Sequence, residues 1–284
     1  MVSEDAEHRL GGAVPSPAAA FLLTLITLPT LFWLVTLKRT TGYTAPEEWL
    51  MTAVVPAIRG WLEAHASPID VLLRGVSALG SGWFVALGFA SVGLLALVKG
   101  RRDLALLLAF GTLAFPIEWL LKYFTSKDVI SLAQLVGAIF NVRGIGLDDI
   151  ADFPAGHALR ATVFYGLVAF CIARLSNDRR QGLVAYLVAL VLIGAISLTR
   201  LYLSAHYPMD LLGGWMAGAA LLSVMVSVHV LGVDERVRKT ESARAAERRT
   251  RPGARRRVAV PLHRADPLHR ADPLHRTDPQ VEQP

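Results

Sequence analysis

Cysteine is nearly missing from this chain. Cys171 is the only one among 284 residues and lies inside an apolar run, which excludes an internal disulfide and any cysteine-built metal site. Its expected role is that of a small buried filler. Charged residues are also scarce, at 18%, whereas apolar residues make up 53% and the mean hydropathy is +0.44. That mixture is far from a water-soluble globular domain. Acidic side chains are outnumbered by basic ones, 23 to 29, for a formal charge of +6. The excess does not imply a nucleic-acid partner, because the cations concentrate in short loops between apolar runs and in the tail after Val233. In membrane proteins such a distribution reports orientation.

What the chain does have is long apolar runs. A hydrocarbon core of about 30 Å takes roughly 20 residues of helix to cross. Candidate spans fall at residues 18–37, 82–98, 104–121, 154–175, 183–198 and 209–231. They predict an all-α polytopic membrane protein, a bundle of six transmembrane helices. The first run is followed by Lys38-Arg39-Thr40-Thr41 and not by a small-residue cleavage site, so it reads as a retained helix and not as a signal peptide. Residues 38–80 are amphipathic, with Glu47, Glu48, Arg59, Glu63, Asp70 and Arg74 spaced among Trp and Leu, and interfacial helices fit that pattern.

The expected organisation is an N-terminal segment at 1–17, a membrane domain at 18–232 and a basic tail at 233–284. The tail carries three copies of Pro-Leu-His-Arg-(Ala/Thr)-Asp, starting at 261, 267 and 273, and its composition predicts disorder. Six spans put both chain ends on one side. Lys99, Arg101, Arg102, Arg174, Arg179, Arg180 and the tail share that side, which the charge bias makes cytoplasmic; Lys38 and Arg39 are the exception. The stretches 122–154 and 199–208 then meet at the opposite, outer face.

Lys122, Arg143, His157, Arg200, His206 and Asp210 are the polar groups expected near that face. Ionisable groups at span ends are expensive, so function is their default reading. Pro208 suits the first turn of the sixth helix, which places His206 at its mouth and Asp210 within it, four residues on and able to fix the imidazole tautomer. Arg and Lys suit a phosphate, and the backbone N–H groups at Gly156 and His157 add an anion-binding helix start. A division of labour follows. His206 attacks phosphorus, Asp210 orients it, His157 serves as general acid and base, and Lys122 with Arg200 stabilises transition-state charge. The scheme needs no metal and no cofactor. His65 and His229 read as structural, the Trp residues at 49, 61, 83 and 119 as interfacial anchors or packing, and Lys122 and Arg200 have a plainer reading as snorkelling anchors.

Thr199-Arg200-x5-His206-x3-Asp210 and Phe153-Pro-Ala-Gly-His157 resemble the third and second signature motifs of the phosphatidic acid phosphatase type 2 superfamily, written SRxxxxxHxxxD and PSGH. The resemblance covers most of residues 18–232. It implies a membrane lipid phosphatase that hydrolyses a lipid phosphomonoester or pyrophosphate through a phosphohistidine. Two departures stand out. Lys122 fits the first motif, KxxxxxxRP, but Val129-Ile130 stands where Arg-Pro is expected, and Ala155 replaces the second-motif serine. Arg143, in the same loop, is the candidate substitute for the missing guanidinium. Three other readings remain open: a non-hydrolytic binder of lipid phosphates, a phosphotransferase, and a magnesium-dependent prenyl-diphosphate enzyme built on Asp148, Asp149 and Asp152. Oligomeric state is not legible.

Overall fold

A computed structural model describes residues 16–65, 68–125, 153–176 and 178–250. All regular elements among them are helical. In chain order they are α1 (Pro17–Thr41), α2 (Ala45–Trp49), a π-helical turn (Leu50–Val54), α3 (Val55–His65), α4 (Ile69–Ala78), α5 (Gly82–Val98), α6 (Arg102–Gly111), α7 (Ala114–Thr125), α8 (Gly156–Leu175), α9 (Arg179–Tyr202) and α10 (Pro208–Thr250). Two units divide the chain, residues 1–235 and 236–284, and α10 contributes to each.

Five helical stretches are long and apolar enough to cross a membrane: Ala18–Thr41, Arg102–Thr125, Gly156–Leu175, Arg179–Tyr202 and Pro208–Val233. A sixth results if α4 and α5, bent by 53° at their joint, count as one broken span. The bundle expected from the apolar runs is therefore present, with two refinements. Residues 69–78, read from sequence as interfacial, form half of the bent pair. Their charges mislead because Asp70 and Arg74 pair with each other one turn apart at 2.6 Å, leaving Val71 and Leu72 exposed. The last helix also runs to Thr250, well past the apolar limit near 231, through an Ala-, Glu- and Arg-rich stretch of high helix propensity.

The helix α8 is the axis of the bundle. In its apolar stretch 72% of residues are buried, against 22–39% in the other four straight spans. Leu159, Val163, Leu167 and Phe170 meet Val85 and Phe89 of α5, Leu104 and Leu108 of α6, and Met225 of α10. The approach of α10 is close: a Cβ at Gly214 would lie 2.6 Å from the Ala155 carbonyl oxygen, and one at Gly218 2.7 Å from Thr162 Cβ. Small residues let membrane helices pack at this distance. Two polar contacts add to the packing, Thr24 Oγ1 to Ser223 Oγ at 2.6 Å and Trp215 Nε1–H donating to Ser197 Oγ at 2.9 Å. Outward, Phe21, Leu25, Phe32, Leu94, Leu187 and Val191 are more than half exposed, an apolar surface that only a bilayer accommodates.

Candidate active site

The corner between α9 and α10 is built by short-range backbone geometry. Leu203 N–H returns to the Thr199 carbonyl at 2.9 Å and Ala205 N–H to that of Arg200 at 3.0 Å, with Ser204 in the left-handed region at φ 55°. That conformation ends α9 and lets the chain re-enter as α10. Pro208 is the first residue of α10, where its missing N–H leaves no bond unmade. The Asp210 carboxylate reaches back to accept the Tyr207 N–H at 2.9 Å, capping the helix start. His206 Nδ1 is 3.8 Å from Asp210 Oδ2, and both side chains are buried.

The first span closes over this corner. Tyr43 donates its hydroxyl to Asp210 Oδ2 at 3.2 Å, and Lys38 Nζ lies 3.6 Å from Asp210 Oδ1. The Tyr43 ring stacks on Tyr207 with centroids 3.6 Å apart, and the Lys38 ammonium sits 2.9 Å from the Tyr43 ring centre on a cation–π contact. Glu47 holds the segment down: one carboxylate oxygen accepts the Met209 N–H of α10 at 2.8 Å, while the other caps α2 through Thr44.

The start of α8 is tied to the same corner, since Ala155 N–H donates to the Asp210 backbone carbonyl at 2.9 Å. Thr125 Oγ1, at the end of α7, donates to the Phe153 carbonyl at 2.7 Å. The α8 backbone thus presents Gly156 and His157 next to the end of α7, where Lys122 is 1% exposed. Lys122 Nζ is 3.7 Å from Glu118 Oε1, and the other Glu118 oxygen accepts a hydrogen bond from Arg160 Nη1. Arg160 divides its remaining donors between the Gly80 carbonyl, at 3.4 Å from Nε, and His157 Nδ1, at 3.5 Å from Nη2. Two cations and one carboxylate are thus packed under the first turn of α8. Gly156 makes room for them: a Cβ would overlap the Glu118 carboxylate and come within 2.8 Å of Arg160 Nη1, so those side-chain ends would have to shift.

Arg200, at the end of α9, donates to Ser77 Oγ of α4 at 3.4 Å, so the bent span reaches the site as well. The Thr199 hydroxyl bonds to the Ile196 carbonyl at 2.6 Å within its own helix. Direct contacts therefore join His206 with Asp210, and His157 with Arg160 and through it Glu118 and Lys122; among the described residues the Ala155–Asp210 backbone hydrogen bond links the two sets. Arg143 and the triplet Asp148, Asp149 and Asp152 lie outside the described residues, as do Val129 and Ile130. His229 packs edge-on against Phe170 and His65 bonds to the Trp61 carbonyl, both structural placements.

Sequence reasoning passed over Lys38, Tyr43, Glu47, Glu118 and Arg160. For the last two a signal existed: Glu118 stands one turn before Lys122, and Arg160 one turn after His157, both within apolar runs where an ionisable residue needs a reason. Lys38 was visible only as the residue that broke the charge bias.

Three comparisons bear on this geometry. The model of the PAP2 superfamily matches residues 141–232, a stretch that includes His157, Arg200, His206 and Asp210 and leaves out Lys122. Phosphatidylglycerophosphatase B of Bacillus subtilis (strain 168) is 24% identical over 226 residues, covering 78% of this chain and 97% of that protein. The crystal structure of a transmembrane PAP2-type phosphatidylglycerolphosphate phosphatase from Bacillus subtilis superposes with a TM-score of 0.56 at 18% identity, over 75% of this chain and 96% of the other, which establishes the fold. The family resemblance carried by the two motifs is borne out.

Proposed function

We propose, from the premise that residues 141–232 match the PAP2 superfamily, that this chain is a membrane lipid phosphatase acting on the phosphomonoester or pyrophosphate of a lipid. One observation carries the reading: the buried His206–Asp210 pair at the mouth of α10 is fastened, by the Ala155 N–H to Asp210 carbonyl bond, to the helix start that bears His157. An imidazole paired with a carboxylate, on a corner hydrogen-bonded to the helix start that bears a second imidazole and near several cations, supports phosphoryl-transfer chemistry.

In the proposed reaction His206 Nε2 forms a bond to phosphorus as the bond to the lipid oxygen breaks, and His157 delivers its proton to that oxygen. His157 then takes a proton from water, whose oxygen displaces His206 and releases inorganic phosphate. Asp210 stabilises the imidazolium that develops at His206. Lys122, Arg200 and the N–H groups of the α8 start, at Gly156 and His157, face the equatorial oxygens. The scheme uses no metal, and its support is that the carboxylates at the site among the described residues are already committed. Glu118 is paired with Lys122 and Arg160, Asp210 with Lys38 and two donors, and Glu47 with backbone N–H groups. Arg143 would complete the clamp from the loop that precedes α8. The site opens to the outer leaflet, with the tail cytoplasmic.

The test is phosphate release from a panel of lipid phosphates, phosphatidylglycerophosphate first, with a chelator present. Wild-type turnover and its loss in His206→Ala with normal membrane insertion are expected. Turnover only with magnesium would favour the Asp148/Asp149/Asp152 mechanism, and none across the panel would favour a non-hydrolytic binder.

A further inference from the structure

The corner that holds His206 is not self-sufficient. Asp210 Oδ2 is 3.8 Å from His206 Nδ1, beyond hydrogen-bond reach, while the same oxygen accepts from Tyr43 and Tyr207 and its sister oxygen faces Lys38. The carboxylate is fully buried, and a buried carboxylate keeps its place only with a countercharge and filled lone pairs. Only the Tyr207 N–H among these partners comes from the motif itself. The ammonium and the phenol come from the end of the first span, some 170 residues away in sequence and outside the stretch that matches the family.

The geometry of that end is specific. Gly42, at φ 72°, closes α1 and turns the chain so that Tyr43 lies flat on Tyr207. Lys38, one turn before the end of α1, caps the other face of the same ring and reaches Asp210 beyond it. Glu47 fixes the far side of the turn to the backbone of α10. Ammonium, phenol ring and Tyr207 ring form one stack, with the carboxylate at its edge. We propose that Lys38 and Tyr43 are positioning residues for the nucleophile: they fix Asp210 so that its charge stays directed at His206 as the imidazolium forms. This rests on the phosphatase reading above. Neither residue is assigned contact with substrate, so their loss is expected in the chemical step and not in ground-state binding.

Two variants test it in the full-length protein. Lys38→Met keeps the apolar stem and removes the charge; Tyr43→Phe keeps the stacked ring and removes one oxygen. Each is expected to lower kcat about tenfold with KM within about twofold, the size of effect of losing one hydrogen bond to a charged group. Lys38→Arg, which can keep both the cation–π contact and the charge, should recover most of the rate. Orthovanadate, which is bound as a five-coordinate mimic of the transition state, should inhibit both variants about tenfold less strongly, while inhibition by inorganic phosphate stays unchanged. A merely structural role would shift both inhibitors together, and that result, or an unchanged kcat, would overturn the proposal. Should Lys38→Met fail to insert, Tyr43→Phe alone decides, because one deleted oxygen leaves the packing intact. Retained activity in His206→Ala would instead remove the phosphatase mechanism, whatever these variants show.

Discussion

The ion cluster beneath α8 makes a sign-reversing prediction. Glu118, Lys122 and Arg160 are 0%, 1% and 4% exposed, so the Glu118–Arg160 ion pair is shielded from water. Glu118→Gln removes the carboxylate that Arg160 faces and leaves that buried guanidinium without its countercharge, which should cost about 3–5 kcal/mol, the usual penalty for breaking a buried pair from one side. Arg160→Met is milder, about 1–3 kcal/mol, because Glu118 keeps Lys122 at 3.7 Å. In the Glu118→Gln background the sign inverts: Arg160 has then lost its carboxylate partner, and replacing it should restore about 1–2 kcal/mol, a coupling within the range of contacting residues. Thermal midpoints of purified protein in detergent, taken at one scan rate, report this as shifts of about 2–4 °C per kcal/mol for a domain of this size. If Arg160→Met lowers the midpoint equally in both backgrounds, the cluster is not held by charge balance and the reasoning fails.

Gly156→Ala should displace the Glu118 carboxylate and cost about 1–3 kcal/mol as overpacking, with lost turnover because the helix start that carries His157 moves. Glu118→Asp, one methylene shorter, should recover part of that midpoint loss in the Gly156→Ala background. Trp215→Phe removes the donor to Ser197 Oγ and should lower the midpoint by an amount matching about 0.5–1.5 kcal/mol, a modest loss because Ser197 keeps its own bond to the Ile193 carbonyl.

What could be read from the sequence was what is local along the chain. The spacing of His206 and Asp210 across a Pro-initiated helix, the start of α8 at Gly156 and the apolar length of each span depend on neighbours within one or two turns, and the helices lie where that pattern puts them. Contacts between distant segments left no comparable trace. Arg160 meets Glu118 across 42 residues and Tyr43 meets Asp210 across 167, and nothing in either local pattern names its partner. The bent span escaped for a related reason: the Asp70–Arg74 pair gives α4 a surface helix's periodicity although it continues into α5.

Lys38 also bears on how charge reports topology. The bias of Lys and Arg toward the cytoplasmic side concerns cations available to the membrane surface, and a cation held by a buried carboxylate answers to a different constraint. The Lys38 side chain is 14% exposed and sits 3.6 Å from Asp210, so its place follows from the site and not from the membrane. Of the two residues that break the charge bias at the end of the first span, setting Lys38 aside leaves Arg39. One of the two sequence exceptions to the proposed orientation thus becomes a pointer to the proposed active site, and a cysteine-accessibility scan of the two faces should find residues 42–48 on the side opposite residues 176–180.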